Sequence, residues 1–228
     1  MNLSVTLNRR ERNRGLIYLL LELLVFPSVL SLVNALFPRP LTETELNAVF
    51  FVLNFACVLA IFHRFLWRSL PRTENQLWIC LRYAFFGFVL YQVASYLMTL
   101  LITLIQPEFM NVNDEAIAGM AQENFFILNI CTVLLVPLTE ECLFRGLFFL
   151  GLQERGKFSS YAVSTVLFSL VHVVGYVGLY DFPTLLLCFI QYLPAGLCLG
   201  WAYRKSDTIF APILMHMTIT QLGILSMR

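Results

Sequence analysis

Two adjacent carboxylates and a guanidinium stand in the stretch Pro137-Leu138-Thr139-Glu140-Glu141-Cys142-Leu143-Phe144-Arg145-Gly146, within a largely apolar run from Phe125 to Leu152. Ionised side chains are costly at membrane depth, so a chain that keeps three within six positions is using them. A helix advances about 100° per residue, which lets Glu141 and Arg145 share a face and pair. Glu140 sits one step round the helix, away from that arginine. The pattern assigns one acid to a structural ion pair and leaves the other for chemistry.

Two later histidines complete the set. His172 follows Phe168 by one helical turn, and His216 precedes Thr220 by one. A carboxylate beside a neutral imidazole can hold a water and take its proton, creating a nucleophile for a carbonyl carbon. A second histidine with a nearby hydroxyl can donate hydrogen bonds to the oxyanion that forms. Glu140, His172 and His216 are equally a donor set for a divalent metal such as zinc with a bound water. There is no HExxH motif, and Ser169, three residues before His172, is the nearest approach to a triad nucleophile. Hydrolysis by activated water is the favoured chemistry. Taken alone, either histidine reads just as well as a hydrogen-bonding residue between membrane helices.

The elements that must position these residues follow from composition. The chain has 228 residues, 59% of them hydrophobic and 13% charged, with mean hydropathy +0.76. Those values predict an all-α, polytopic bundle in the cell membrane. About seven runs reach the ~20 residues a span needs: 16–36, 46–66, 79–105, 124–151, 160–178, 182–203 and 209–226. An eighth requires the third or fourth to split. Arg9, Arg10, Arg12 and Arg14 precede the first run, and Arg64, Arg68, Arg72 and Arg82 lie between the second and third. Arg155 and Lys157, then Arg204 and Lys205, fall in later connections of the same parity, while the alternate ones hold only Arg39 and, at the end, Arg228. This alternation predicts a cytoplasmic N-terminus. The stretch 106–124, with Glu108, Asp114, Glu115 and Glu123, reads as an outer loop containing some helix.

Other features bound the reading. A formal net charge of +1 and no basic tract give no footing for nucleic acid. The six cysteines form no CxxC pair and read as small buried hydrophobes. The first run lacks a small-x-small cleavage site and reads as an uncleaved span. Glu22 within it reads as facing the bundle or water, and His63 as an interfacial residue. Trp67, Trp78 and Trp201 suit interfacial anchoring. Gly196 and Gly200 permit close helix packing, and Pro137 and Pro194 are candidate kinks. Counting inward from the expected span ends puts Glu140, His172 and His216 at depths of roughly 18, 18 and 12 Å on the cytoplasmic side. Three helices thus bring three groups to one layer, and a shared polar cavity is the expectation.

The order EExxxR, then FxxxH, then HxxxT, each on its own late span, resembles the CAAX protease and bacteriocin-processing (CPBP) family, relatives of the type II CAAX prenyl endopeptidases. The resemblance covers roughly residues 125–225. It implies one integral membrane domain, with variable spans over 1–122 and a catalytic core over 123–228. It further implies that Glu140 and His172 activate water while His216 and residue 220 stabilise the oxyanion, with Glu141, Arg145 and Phe168 in support. Thr220 stands where the family usually has asparagine; it keeps a donor but shortens it. The resemblance allows both a metal-dependent and a metal-free glutamate mechanism. The implied substrate is a peptide or a lipidated, membrane-associated protein. In bacteria the setting would be bacteriocin or pheromone maturation or self-immunity, and in a prenylating organism CAAX-tail removal. Two readings of other classes stay open. A catalytically inactive scaffold or regulator would explain Thr220. A proton-coupled transporter would use buried Glu and His, although no inverted repeat appears.

Overall fold

The computed structural model describes residues 3–70 and 74–226; Arg72 and Arg228, used in the charge count, lie outside the described residues. Helix α1 (Arg9–Leu24) opens with a capping box, in which Asn8 accepts the Glu11 amide and Glu11 accepts the Asn8 amide, each at 2.8 Å. The arginines expected ahead of the first span therefore sit inside its first turns. Pro27 cannot donate a backbone bond, and α2 (Phe26–Ala35) continues from α1 at a bend of 43°. Helix α3 (Glu43–Ser69) starts from a second capping box on Thr42 and Glu45. Helix α4 (Glu74–Ile105) follows. The next run is one long apolar helix, Val112–Phe149. It comprises α5 (Val112–Ile130), a π-helical turn Cys131–Leu135, α6 (Val136–Glu141) and a π-helical segment Cys142–Phe149. Helices α7 (Lys157–Val174), α8 (Phe182–Ser206) and α9 (Phe210–Ser226) complete the bundle. Asp181 caps α8, and its bonds from Thr184 hold its carboxyl below the usual range.

All seven expected spans are helical. Among the described residues, five helices are long and apolar enough to cross a membrane, and the bent α1–α2 pair is a sixth candidate. Helix α9, with 17 residues, is about 25 Å long, a little short of the ~30 Å hydrocarbon core. The stretch 106–124, expected as an outer loop containing some helix, is helical over most of its length. Helix resumes at Val112, because the Asn111 side chain accepts from the Asn113 and Asp114 amides and acids in a first turn complement the helix dipole. The helix then breaks at Asn124 (φ −151°, ψ 87°), where the span was expected to begin. Residues 112–123 thus form an arm preceding the span.

The basic connections gather at one end of the bundle. Arg68 pairs with Glu11 at 2.8 Å, joining the end of α3 to the start of α1. The Leu3 amide bonds Gln153, the Ser4 amide bonds Asp207, and the Thr208 hydroxyl bonds the Ser69 carbonyl. That convergence is what the charge alternation requires of an antiparallel bundle. Helix α8 is the central packing element, lying along α4, α7 and α9. Gly196 makes this possible: a Cβ there would come within 2.8 Å of Thr165 on α7. Five of the six cysteines are buried, and all are free thiols. Trp67 and Trp78 are mostly exposed, whereas Trp201 stacks edge-on against Tyr83.

Candidate active site

Glu141 and Arg145 are completely buried and lie 3.2 Å apart. Their pairing survives in a segment of π geometry, whose backbone bonds run from i to i+5 in a wider turn. Arg145 also donates through Nη2 to the Gly196 carbonyl at 3.2 Å, which ties the acid-bearing helix to α8. Its Cζ lies 4.5 Å from the centre of the Phe168 ring. Glu141 is doubly engaged, because the same Oε1 accepts His216 Nδ1 at 2.9 Å. The sequence indicated the arginine partner but not the histidine.

Glu140 is the acid left over. Its Oε2 is buried and has no hydrogen-bond partner. It lies 3.9 Å from His172 Nε2 and 3.9 Å from His216 Nε2. Such gaps are too long for direct hydrogen bonds and of the length that one water bridges. The three groups therefore meet as expected, although the helix ends differ from those counted. Helix α7 ends at Val174, before Gly175, so His172 occupies its last turn.

Second partners orient both rings. His172 Nδ1 lies 2.8 Å from the Phe168 carbonyl. A carbonyl only accepts, so Nδ1 carries the proton and the Nε2 of a neutral ring presents a lone pair to Glu140. His216 Nδ1 likewise donates to the Glu141 carboxylate. Phe168 is the common wall, with ring centroids 4.7 Å from His172 and 5.6 Å from His216. Thr220 lines, with His172, His216 and Phe168 but not Glu140, a cavity of about 230 Å³. Ser169 is fully buried and its hydroxyl has no partner. His63 is exposed, with Nδ1 on the Ala60 carbonyl.

The residues do not fit a metal as placed. Among the described residues, no group of three His, Cys, Asp or Glu stands close enough to hold an ion.

Two features go beyond the sequence reading, in which Glu22 faces the bundle or water and the second feature leaves no trace. Glu22 extends the buried stripe Glu11, Gly15 and Tyr18 of α1, since 11, 15, 18 and 22 recur on one helical face. Gly15 lies against Leu147, and α1 runs antiparallel to that helix, so seven residues onward Glu22 comes level with Glu140. Its Oε2 is buried and unpartnered, within electrostatic reach of Glu140. A lone acid in the first span was the only signal. The second feature is a polar wall on the cavity, in which Tyr192 stacks on His172 with centroids 4.2 Å apart and 27° between planes. The Tyr192 hydroxyl donates to Asp114 Oδ1 at 2.9 Å and accepts from Asn113 Nδ2 at 2.9 Å. Asn111 Nδ2 donates to Gln191 Oε1 at 2.7 Å. Asn111, Asn113 and Asp114 come from the stretch that the sequence reads as an outer loop with some helix, and Gln191 and Tyr192 from α8.

Residues 122–221 match the family model described as type II CAAX prenyl endopeptidase Rce1-like. Over those residues the chain is similar to the CPBP family of membrane proteases. The matched region holds Glu140, His172, His216 and Thr220 and leaves the first three spans outside. A curated protein of Lactococcus lactis subsp. lactis (strain IL1403), described as UPF0177 protein YxdF, is 28% identical over 139 residues, covering 60% of this chain and 72% of that protein. No solved structure matches the chain.

Proposed function

We propose that this CPBP-like protein is an intramembrane endopeptidase that cleaves a peptide or membrane-associated protein by a water held between Glu140 and His172. The observation that carries the reading is the unpartnered Glu140 Oε2, equidistant from two imidazole Nε2 atoms. The water's oxygen attacks the scissile carbonyl carbon while Glu140 takes its proton, and the carbonyl π pair moves onto oxygen. His172 Nε2 accepts the water's other hydrogen and aims its lone pair. The new oxyanion is met by His216, which Glu141 holds through Nδ1, and by the Thr220 hydroxyl. Collapse re-forms the carbonyl and breaks the C–N bond as Glu140 returns the proton to the leaving amine. Carboxyl and amine products leave with Glu140 regenerated.

Positioned acid–base groups contribute about 10²–10⁴-fold, so purified Glu140→Gln and His172→Ala should each lose turnover of that order on a peptide library. Their melting temperatures should stay near wild type, since neither side chain belongs to the buried ion pair. Comparable turnover by Glu140→Gln refutes the mechanism. The departure at Thr220 favours a second reading, an inactive scaffold for a membrane partner, which requires that wild type cleave nothing while Glu140→Gln keeps the cellular phenotype. Within the peptidase reading, maturation of secreted peptides and self-immunity are the settings we propose for a bacterial chain.

A further inference from the structure

The cavity that holds His172, His216 and Thr220 extends to the polar wall, and its lining is electrically one-sided. Asp114 is its one carboxylate, and no lysine or arginine lines it among the described residues. One Asp114 oxygen is engaged by the Tyr192 hydroxyl, and among the described residues no hydrogen bond reaches the other. The carboxylate stands in the first turn of α5, behind the Asn111 cap; burial raises its pKa, against which the Tyr192 hydroxyl bond acts, so a cationic partner is what its charged form lacks. The side-chain amides of Asn111 and Asn113 donate to Gln191 and Tyr192, not to Asp114.

Asp114 is coupled directly to the reaction centre through the Tyr192 ring stacked on His172. Helix α5 delivers it there because the arm is fixed at both ends. At the far end the Thr44 hydroxyl donates to Glu123 at 2.6 Å, next to the break at Asn124.

We propose that Asp114 and the Tyr192 hydroxyl form a substrate subsite for a cationic group, a lysine or arginine side chain or a free amine, close to the scissile bond. The inference rests on the peptidase reading and names the substrate chemistry that the reading leaves open. The same lining has no lysine or arginine to receive a peptide's C-terminal carboxylate or an acidic side chain, and at this subsite it disfavours both.

The test uses internally quenched peptides with an alanine–leucine scissile region, each carrying lysine, norleucine or glutamate at one position on either side of the bond. Wild type should prefer lysine over glutamate at one position by about 10–100-fold in kcat/KM, the range of a charge-assisted hydrogen bond. Asp114→Asn keeps an acceptor for Tyr192 and should erase that preference while still cleaving the norleucine peptide. Asp114→Lys should invert it. Equal cleavage of the lysine and glutamate peptides by wild type, or a preference unchanged in Asp114→Asn, overturns the proposal. Binding of the same labelled peptides to Glu140→Gln, with and without Asp114→Asn, separates the two ideas. A lysine preference in binding that needs Asp114, without cleavage by wild type, keeps the subsite and removes the peptidase. Binding blind to charge removes the subsite, whatever is cleaved.

Discussion

Replacing Arg145 by alanine strips the Glu141 carboxylate of a partner in a site with no solvent exposure at either side chain. Breaking a buried pair from one side costs about 3–5 kcal/mol, because the remaining charge is stranded. The Gly196 carbonyl loses its Nη2 donor as well, a further penalty of about 1–3 kcal/mol that overlaps the first. His216 remains on Glu141 Oε1 and compensates in part, which leaves about 4 kcal/mol. That is about a thousandfold in the folded-to-unfolded ratio, or roughly 8–16 °C in melting temperature for a chain of this length. Thermal unfolding in detergent, followed by tryptophan fluorescence, measures it beside Glu140→Gln as reference. The double variant Glu141→Gln/Arg145→Met leaves no charge stranded and should recover part of the loss. Its activity should not return, since His216 loses its carboxylate. If Arg145→Ala melts at the temperature of Glu140→Gln, the pair is not the anchor described here.

Two smaller perturbations probe neighbouring contacts. Thr220→Val removes a hydroxyl from the cavity wall and should lower turnover by about 10²–10³ with little change in KM, as loss of an oxyanion donor does; Thr220→Asn should keep or raise it, and an unchanged rate for Thr220→Val takes the residue out of the mechanism. Gly196→Ala forces a methyl within 2.8 Å of Thr165 Cγ2 and 3.0 Å of its Cα, so helices α7 and α8 must part at a cost of about 1–3 kcal/mol, whereas Gly119→Ala, with open space around it, should melt like wild type.

What could be read from the chain depended on how local the signal was. The spacing of Glu141 and Arg145, and of Phe168 and His172, lies within one helical turn, where side chains meet regardless of the rest of the fold. The apolar runs likewise announce helices, because lipid leaves the backbone no other partner. The second contact of Glu141, with His216 seventy-five positions away, is set by how α9 packs and has no local trace. The stretch 106–124 reads as a loop with some helix, but its inward contact was missed for a different reason. Asp114 and Glu115 look like solvated loop charges, and only the Asn111 cap and the Tyr192 hydroxyl turn that segment inward. The π-helical turns on either side of α6 were equally invisible, since their residues differ in no obvious way from those of an ordinary apolar helix.

Those wide turns have a mechanical consequence. The Phe144 carbonyl, in the π segment just after the acid pair, receives the Ser164 hydroxyl of α7 at 2.9 Å in a fully buried contact. Two turns further along α7 stands His172. The helix bearing Glu140 and the helix bearing His172 are therefore riveted to each other a short lever arm from the gap they share. Water confined between Glu140 and His172 would be held in a slot whose width is gauged by a serine that touches neither of them.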